Sequence, residues 1–113
     1  MKVVHYQEVM ETPVNTEGAT NVNIRWLISK EDGAQNFAMR HFELKKGGRT
    51  PLHTHNWEHE VFILSGQGII WKAGEEILLK PGTAIFIPAN EKHCFRNTGD
   101  SPFQFICLIP ITK

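Results

Sequence analysis

Short apolar stretches with the alternation of β-strands run along most of the chain. Between Val22 and Ile28, apolar side chains occupy every second position, which is the period of a strand with one buried face. Similar stretches, separated by Gly, Pro, Asn and Asp turn residues, follow at residues 37–44, 60–64, 68–72, 76–80, 84–88, 93–97 and 103–109. No stretch of about ten residues has the periodicity of a helix. The pattern predicts an all-β fold, an antiparallel double-sheet barrel of about six to eight strands.

The side-chain phase of two strands indicates what points into such a barrel. In the last strand, Phe105, Cys107 and Ile109 share one face, and the only polar side chain lies in the other phase, so we expect Cys107 to point inward. Over residues 37–44, the more apolar phase includes Arg40. An arginine that points into a barrel needs a partner or a ligand, because an unpaired buried charge is costly.

Composition excludes several classes of protein. The chain has 113 residues, with 12 Lys and Arg against 12 Asp and Glu, and this zero net charge argues against binding to nucleic acid or to a membrane surface. No apolar run approaches the ~18–20 residues of a membrane span, and the N-terminus has no signal-peptide core. Two cysteines are too few for a disulfide scaffold. We therefore expect a cytoplasmic protein with one domain over residues 1–113.

Histidines are clustered in a way that suggests a metal site. His53 and His55 are two positions apart, so on an extended segment they project from the same face and can converge on one metal ion. A third ligand can come from the next strand, where His59 and Glu60 are adjacent, and a fourth from His93 on another strand. Both phases of residues 59–64 are apolar, so periodicity does not choose between His59 and Glu60.

These residues form part of a larger pattern with two motifs. The first is Gly47-x5-His53-x-His55-x4-Glu60-x5-Gly66, about residues 47–66, and the second is Gly82-x5-Pro88-x-Asn90-x2-His93-x3-Asn97, about residues 82–97. The pair strongly resembles the two signature motifs of the cupin superfamily. Two positions depart from it: Asn90 replaces a glycine, which is tolerable because Asn adopts left-handed conformations, and Gly66 comes one residue early. The resemblance implies a cupin or jelly-roll barrel, in which the motifs form hairpins that bring the ligands to one point.

A narrower resemblance concerns the metal. The segment from His53 to Phe62, together with residues 36–40 and 107–110, resembles small single-domain bacterial cupins that bind manganese through four histidines. That resemblance implies one divalent metal per chain, with manganese favoured and iron also expected, although imidazole ligands alone favour nickel, copper or zinc. The ligands implied are His53, His55, His59 and His93; the commoner cupin pattern uses Glu60 in place of His59.

The resemblance also leads to an expected function. Cupins of similar pattern include quercetin dioxygenases, so we expect a dioxygenase-like oxidoreductase that acts on a small organic molecule at a mononuclear metal, with dioxygen as a candidate partner. Arg40, Phe105, Cys107 and Ile109 are the candidate substrate-pocket residues, with Arg40 suited to an anionic group, and no catalytic residue is assigned beyond the metal. The alternatives are a metal-dependent isomerase or lyase acting on a sugar-like substrate, and a cupin that binds a small molecule without turnover.

The resemblance and the expected sheet edges predict a homodimer. Similar small cupins are homodimers, commonly through exchange of N-terminal strands. The segment from Val3 to Val9 is expected to be an unpaired edge strand, and such edges pair readily with another chain.

Overall fold

The computed structural model describes residues 1–112, and its strands form one curled antiparallel sheet. The nine strands are β1 (Thr12–Pro13), β2 (Thr20–Ile28), β3 (Phe37–Arg49), β4 (His59–Ser65), β5 (Gly68–Lys72), β6 (Glu75–Leu79), β7 (Ala84–Ile87), β8 (His93–Asn97) and β9 (Phe103–Pro110). Their order is β6-β5-β8-β3-β9-β4-β7, with β2 paired to β3 and β1 to β2. The prediction of an all-β, antiparallel barrel-like fold in a single small domain is confirmed, as a half-barrel.

Helical structure in residues 1–112 consists of two short 3-10 turns, Tyr6–Glu8 and Lys30–Asp32. No helix in this part of the chain is long and apolar enough to cross a bilayer.

The pairing of β3 with β9 builds the wall of the core. Arg40 lies opposite Cys107, and Phe42 lies opposite Phe105. Directly opposed residues of antiparallel strands project to the same face, so all four enter the interior of the curled sheet. Cys107 is 3% exposed, which confirms its inward phase. The buried core that continues from this wall consists of Val22, Leu44, Val61, Ile63, Ile70, Leu79, Ile87, Phe95, Phe103, Phe105 and Cys107.

A glycine pair lets β3 turn toward the far side of the half-barrel. Gly47 has φ +76°, in the left-handed region that glycine adopts without strain. At Gly48, a Cβ atom would lie 2.7 Å from the carbonyl oxygen of Lys45, closer than real contacts allow. The register between β2 and β3 shifts at this point, and the end of β3 then pairs with β8 through Arg49 and Arg96. The bend directs the chain toward the histidine segment.

The two motifs do not form hairpins, contrary to the expectation. Strand β7 pairs with β4, whereas β8 pairs with β5 and β3, so the second motif crosses from one side of the half-barrel to the other. The motifs instead join each other through a bridge between His53 and His93. Asn90 has φ +68°, the left-handed conformation that its place in the motif requires.

The N-terminal segment is not the edge strand that we expected from Val3 to Val9. His5 and Glu8 form a reciprocal capping box that winds the chain into the first 3-10 turn. Arg25 of β2 holds this turn against the barrel, donating from Nη1 to the carbonyl oxygens of Tyr6 and Val9 at 3.3 and 2.6 Å. The backbone of this turn therefore finds hydrogen-bond partners within one chain.

Candidate metal centre

Backbone hydrogen bonds bring the histidines of the two motifs together. The amide of His53 donates to the carbonyl of His93 at 3.2 Å, and the amide of His93 donates back at 3.1 Å. The amide of Asn90 donates to the carbonyl of His55 at 2.6 Å. The extended segment with His53 and His55 therefore lies along β8, whose first residue is His93, while His59 begins β4.

The four imidazole rings converge at one end of the core. His53 lies 4.2 Å from His55 and 5.3 Å from His93 between ring centroids, and His59 lies 5.0 Å from His55 and 5.4 Å from His93. The rings of His55 and His93 are 6.3 Å apart. With metal–nitrogen bonds of ~2.1 Å, imidazoles on one ion have centroids about 4.6 Å apart at right angles and about 6.5 Å apart when opposed. Four of these five spacings fall in this range, and the 4.2 Å between His53 and His55 is slightly shorter.

The ring centres have ligand spacing, but the rings are not yet oriented as ligands. In the described part of the chain, no group of three His, Cys, Asp or Glu side chains is already set to hold a metal ion. Rotation about the two side-chain torsions of histidine changes nitrogen directions with little movement of the backbone, so the positions of the rings are compatible with a metal. A bound metal would require such rotations.

Protonation favours metal binding near neutral pH. Burial, followed by the positive charge of Arg40, lowers the pKa of His59 from its ordinary 6.5 to about 3. Burial and the neighbouring His55 lower the pKa of His53 to about 4, and burial lowers the pKa of His55 as well. These imidazoles are therefore neutral at pH 7, and each has a nitrogen lone pair available to a metal.

Hydrogen bonds indicate which nitrogens remain free to bind a metal. The Nδ1 of His93 donates to the carbonyl oxygen of Glu91 at 2.9 Å, which leaves the Nε2 lone pair free. The Nδ1 of His59 lies 3.3 Å from Cys107 Sγ, and its Nε2 is buried without a hydrogen-bond partner. A buried polar atom without a partner is costly unless something binds it. The donor set thus fits a metal, with His59 Nε2 as the clearest vacant donor.

Strand β4 separates the two candidate ligands that the sequence left open. His59, Val61 and Ile63 are buried on its inner face, whereas Glu60 is exposed on the outer face. Glu60 lines an outer groove with residues such as Phe62 and is absent from the histidine-lined cavity. The structure therefore brings His59, and not Glu60, to the other three histidines.

A cavity of about 250 Å³ opens beside the four rings. Three of the four expected pocket residues, Arg40, Phe105 and Cys107, line it. Ile109 does not, because β9 has passed the cavity by that position, and Ile109 lies at two surface grooves instead. The lining residues are Val14, Thr16, Val22, Ile24, Arg40, Phe42, Thr50, Pro51, His53, His55, His59, His93, Phe95, Phe105 and Cys107.

Both cysteines are free thiols. Burial raises the pKa of Cys107, although the guanidinium of Arg40, 3.0 Å from its sulfur, acts in the opposite direction. Burial likewise raises the pKa of Cys94, which lies outside the cavity lining. Cys107 therefore lies next to His59 as a neutral thiol.

Sequence reasoning missed two contributors to the site. Trp57 stacks on His55 with ring centroids 4.6 Å apart and planes 10° apart, so a loop residue restrains one of the candidate ligands. Thr50 accepts a hydrogen bond from the amide of Phe95 at 2.8 Å through its hydroxyl oxygen and also lines the cavity. Both residues occupy unspecified positions of the first motif, so the motif itself did not single them out. For Trp57, the only available signal was its place in the short loop before His59.

Fold and site together define a β half-barrel with a histidine-lined interior, and comparisons with known proteins agree. Residues 40–109 match Cupin_2, the cupin domain family. The oxalate-binding protein of Thermotoga maritima is 32% identical over 96 residues, which cover 81% of this chain and 78% of the relative. The chain belongs to the cupin domain family.

Two further similarities bear on function. The structure of the polyketide cyclase RemF from Streptomyces resistomycificus has a TM-score of 0.94 and 36% identity, covering 99% of this chain and 80% of that chain. Quercetin 2,3-dioxygenase of Bacillus subtilis is 42% identical over 52 residues, which are 45% of this chain but only 15% of that enzyme. The two relatives have different reaction names, so family membership leaves the reaction of this chain open.

Proposed function

We propose that this cupin is a metal-dependent enzyme that acts on a small organic molecule, with dioxygenase-like oxidoreductase as its reaction class. One divalent ion, manganese first among the candidates, would be held by His53, His55, His59 and His93. The observation that carries the proposal is the vacant, buried Nε2 of His59 at the meeting point of four rings. A buried imidazole nitrogen without a partner is costly unless something binds it, and among such atoms only His59 Nε2 is on one of the four clustered rings.

The residues around the centre have distinct tasks in this proposal. A bound metal supplies a Lewis acid and, if it is redox-active, a path for electrons between substrate and dioxygen. With Nε2 on the metal, the Nδ1 proton of His59 points to Cys107 Sγ, which fixes the tautomer and the ring plane. Phe42 and Phe105 stack at 5.3 Å and give the cavity an apolar wall against water.

The oxidoreductase class draws its support from the similarity to quercetin 2,3-dioxygenase. The shared segment is short, at 52 residues. The neutral imidazole set leaves a divalent ion its full charge, which suits the binding of electron-rich oxygen ligands.

A redox-neutral reaction is the second candidate, as expected for an isomerase or lyase in which the metal only polarises a carbonyl oxygen. The specific observation in its favour is the likeness to RemF, a polyketide cyclase by name, across 99% of this chain. In this case a redox-silent ion such as zinc would support turnover.

Metal-exchanged protein separates the two candidates. Protein loaded with manganese, iron or zinc is assayed with a panel of small phenols, enols and hydroxy acids, following oxygen uptake and product formation by mass spectrometry. The first candidate predicts oxygen uptake matched to product with manganese or iron and none with zinc. Product formed without oxygen uptake, with zinc as active as manganese, would establish the second. His93→Ala is the matched metal-deficient control.

The homodimer expected from the sequence remains part of the proposal, with a different surface. The 3-10 turn Tyr6–Glu8 is held on its own barrel by Arg25, so we place the interface on another surface. The outer face of β4 and β7 instead exposes Phe62 (48%), Leu64 (43%) and Phe86 (56%). Exposed apolar patches of this kind mark association surfaces. Sedimentation of the wild-type protein and of Phe62→Ser tests this; a wild-type monomer at micromolar concentration overturns it.

A further inference from the structure

Arg40 brings a guanidinium group into the cavity without an acidic partner. None of the ion pairs among the described residues includes Arg40. No Asp or Glu is among the residues that line the cavity. The polar contacts of Arg40 are Cys107 Sγ at 3.0 Å and His59 Nδ1 at 3.5 Å, both from Nη2, and its Nε is buried without a partner. A thiol is a weak acceptor, so the charge is poorly satisfied.

Aromatic rings hold the guanidinium in place. Its central carbon lies 5.0 Å from the ring centroid of Phe42 and 5.6 Å from that of Trp26, within the range of cation–π contacts. The group is thereby held against apolar surface with restricted freedom. A guanidinium that is already positioned loses little further entropy when it binds an acceptor.

A metal at the centre would release Arg40 from one of its contacts. A metal ion on His59 Nε2 leaves the proton on Nδ1, which then has no lone pair for Nη2 of Arg40. The N–H groups of Arg40 would then have only the sulfur of Cys107 as an acceptor. The arrangement therefore gains most from a ligand that brings an acceptor of its own.

Thr50, one of two threonines on the cavity wall, is also able to donate a hydrogen bond. The hydroxyl oxygen of Thr50 accepts from the amide of Phe95, so its proton is free for a ligand. With Arg40 and a divalent ion, the cavity would have three positive charges and no negative side chain. Such a site favours an anion with several acceptor oxygens.

The size of the cavity restricts that anion. Its volume of about 250 Å³ equals roughly eight water molecules at ~30 Å³ each. We infer that the cavity binds a small organic carboxylate whose carboxylate oxygens accept hydrogen bonds from Arg40 beside the metal centre. This rests on the proposed function only for the position of the ligand next to the metal; the contact with Arg40 requires no metal.

Calorimetric titration with malonate tests the inference in both metal-free and metal-loaded protein. Malonamide is the neutral probe of similar shape, and inorganic phosphate is the competing anion. We expect malonate to bind at least tenfold more tightly than malonamide and phosphate, because charged hydrogen bonds to a carboxylate are the stronger ones. Equal binding of malonamide overturns the anion site, and equal binding of phosphate overturns the carboxylate class. These comparisons use the wild-type chain, so they hold whatever the variants do.

Variants then assign the binding to Arg40. Arg40→Gln should weaken malonate binding at least tenfold, and Arg40→Lys should recover part of it. Arg49→Gln, an exposed arginine outside the cavity, is the matched control and should bind as the wild type does. Unchanged malonate binding in Arg40→Gln overturns the inference.

Metal content separates failure of this inference from failure of the proposed function. Arg40→Gln should retain its metal or bind it more tightly, because a guanidinium repels a cation. If the wild type binds no metal but metal-free protein binds malonate through Arg40, the inference stands while the metal-dependent function fails. If metal binds fully and Arg40→Gln still binds malonate like the wild type, the reverse holds.

Discussion

Asn97, the last residue of the second motif, is expected to hold the fold rather than the metal. It is 5% exposed, its Nδ2 donates to the carbonyl oxygens of Leu44 and Ser101 at 2.9 Å each, and its Oδ1 accepts from the amide of Gly99 at 2.8 Å. Asn97→Ala leaves all three groups without this partner. At about 1 kcal/mol for each lost hydrogen bond, the loss is ~3 kcal/mol. For a domain of about 110 residues this lowers Tm by roughly 12 °C.

Thermal and urea unfolding of metal-free protein at pH 7 measure this loss without a contribution from metal binding. Metal stoichiometry of the folded variant should be unchanged, because Asn97 lies about 13 Å along β8 from His93. Thr98→Ala, at an exposed neighbour, is the control and should change stability by less than ~0.5 kcal/mol. A loss below ~1 kcal/mol for Asn97→Ala, or loss of metal at unchanged stability, would refute the reasoning.

Three further predictions concern pH and backbone geometry. Metal-free protein should lose stability as pH falls below 6.5, because His59 has a folded pKa of about 3 and the unfolded chain therefore binds the proton first. The urea midpoints at pH 7.5 and pH 5 should differ less in His59→Phe than in the wild type. An equal difference in the two proteins contradicts the role of His59. Gly68→Ala places Cβ 2.5 Å from the Phe103 ring and should lower the free energy of unfolding in urea by at least ~2 kcal/mol. Gly99→Ala, with no neighbour closer than 3.5 Å, should leave that free energy nearly unchanged. Similar losses in the two variants disprove the packing argument. Asn90→Gly should retain or slightly raise Tm, since φ +68° suits glycine, and a clear decrease counts against that strain.

The sequence predicted side-chain orientation correctly where the alternation within a single strand was sufficient. Alternation in residues 103–109 placed Cys107 inward, and the same argument placed Arg40 in the interior, because period two assigns faces without knowledge of the partner strands. The pair of glycine-bounded motifs was sufficient for the fold class and for the histidine cluster.

Features that depend on long-range pairing could not be predicted. His59 and Glu60 stayed undecided because the outer face of β4 has Phe62 and Leu64, so both phases looked buried. The hairpin expectation was wrong because turn residues do not reveal that β7 and β8 pair with different strands. At the N-terminus, the capping box between His5 and Glu8 outweighed an apolar stretch that otherwise favoured a strand.

Metal titration of the wild type, His59→Ala and Glu60→Ala in parallel tests the central claim most directly. Each metal-free protein is titrated with Mn²⁺ and Zn²⁺ by calorimetry at pH 7.5, and bound metal is counted after dialysis. The account predicts one ion per chain in the wild type and in Glu60→Ala, with affinity at least ~10-fold weaker in His59→Ala. Full affinity in His59→Ala together with loss of metal in Glu60→Ala would contradict it.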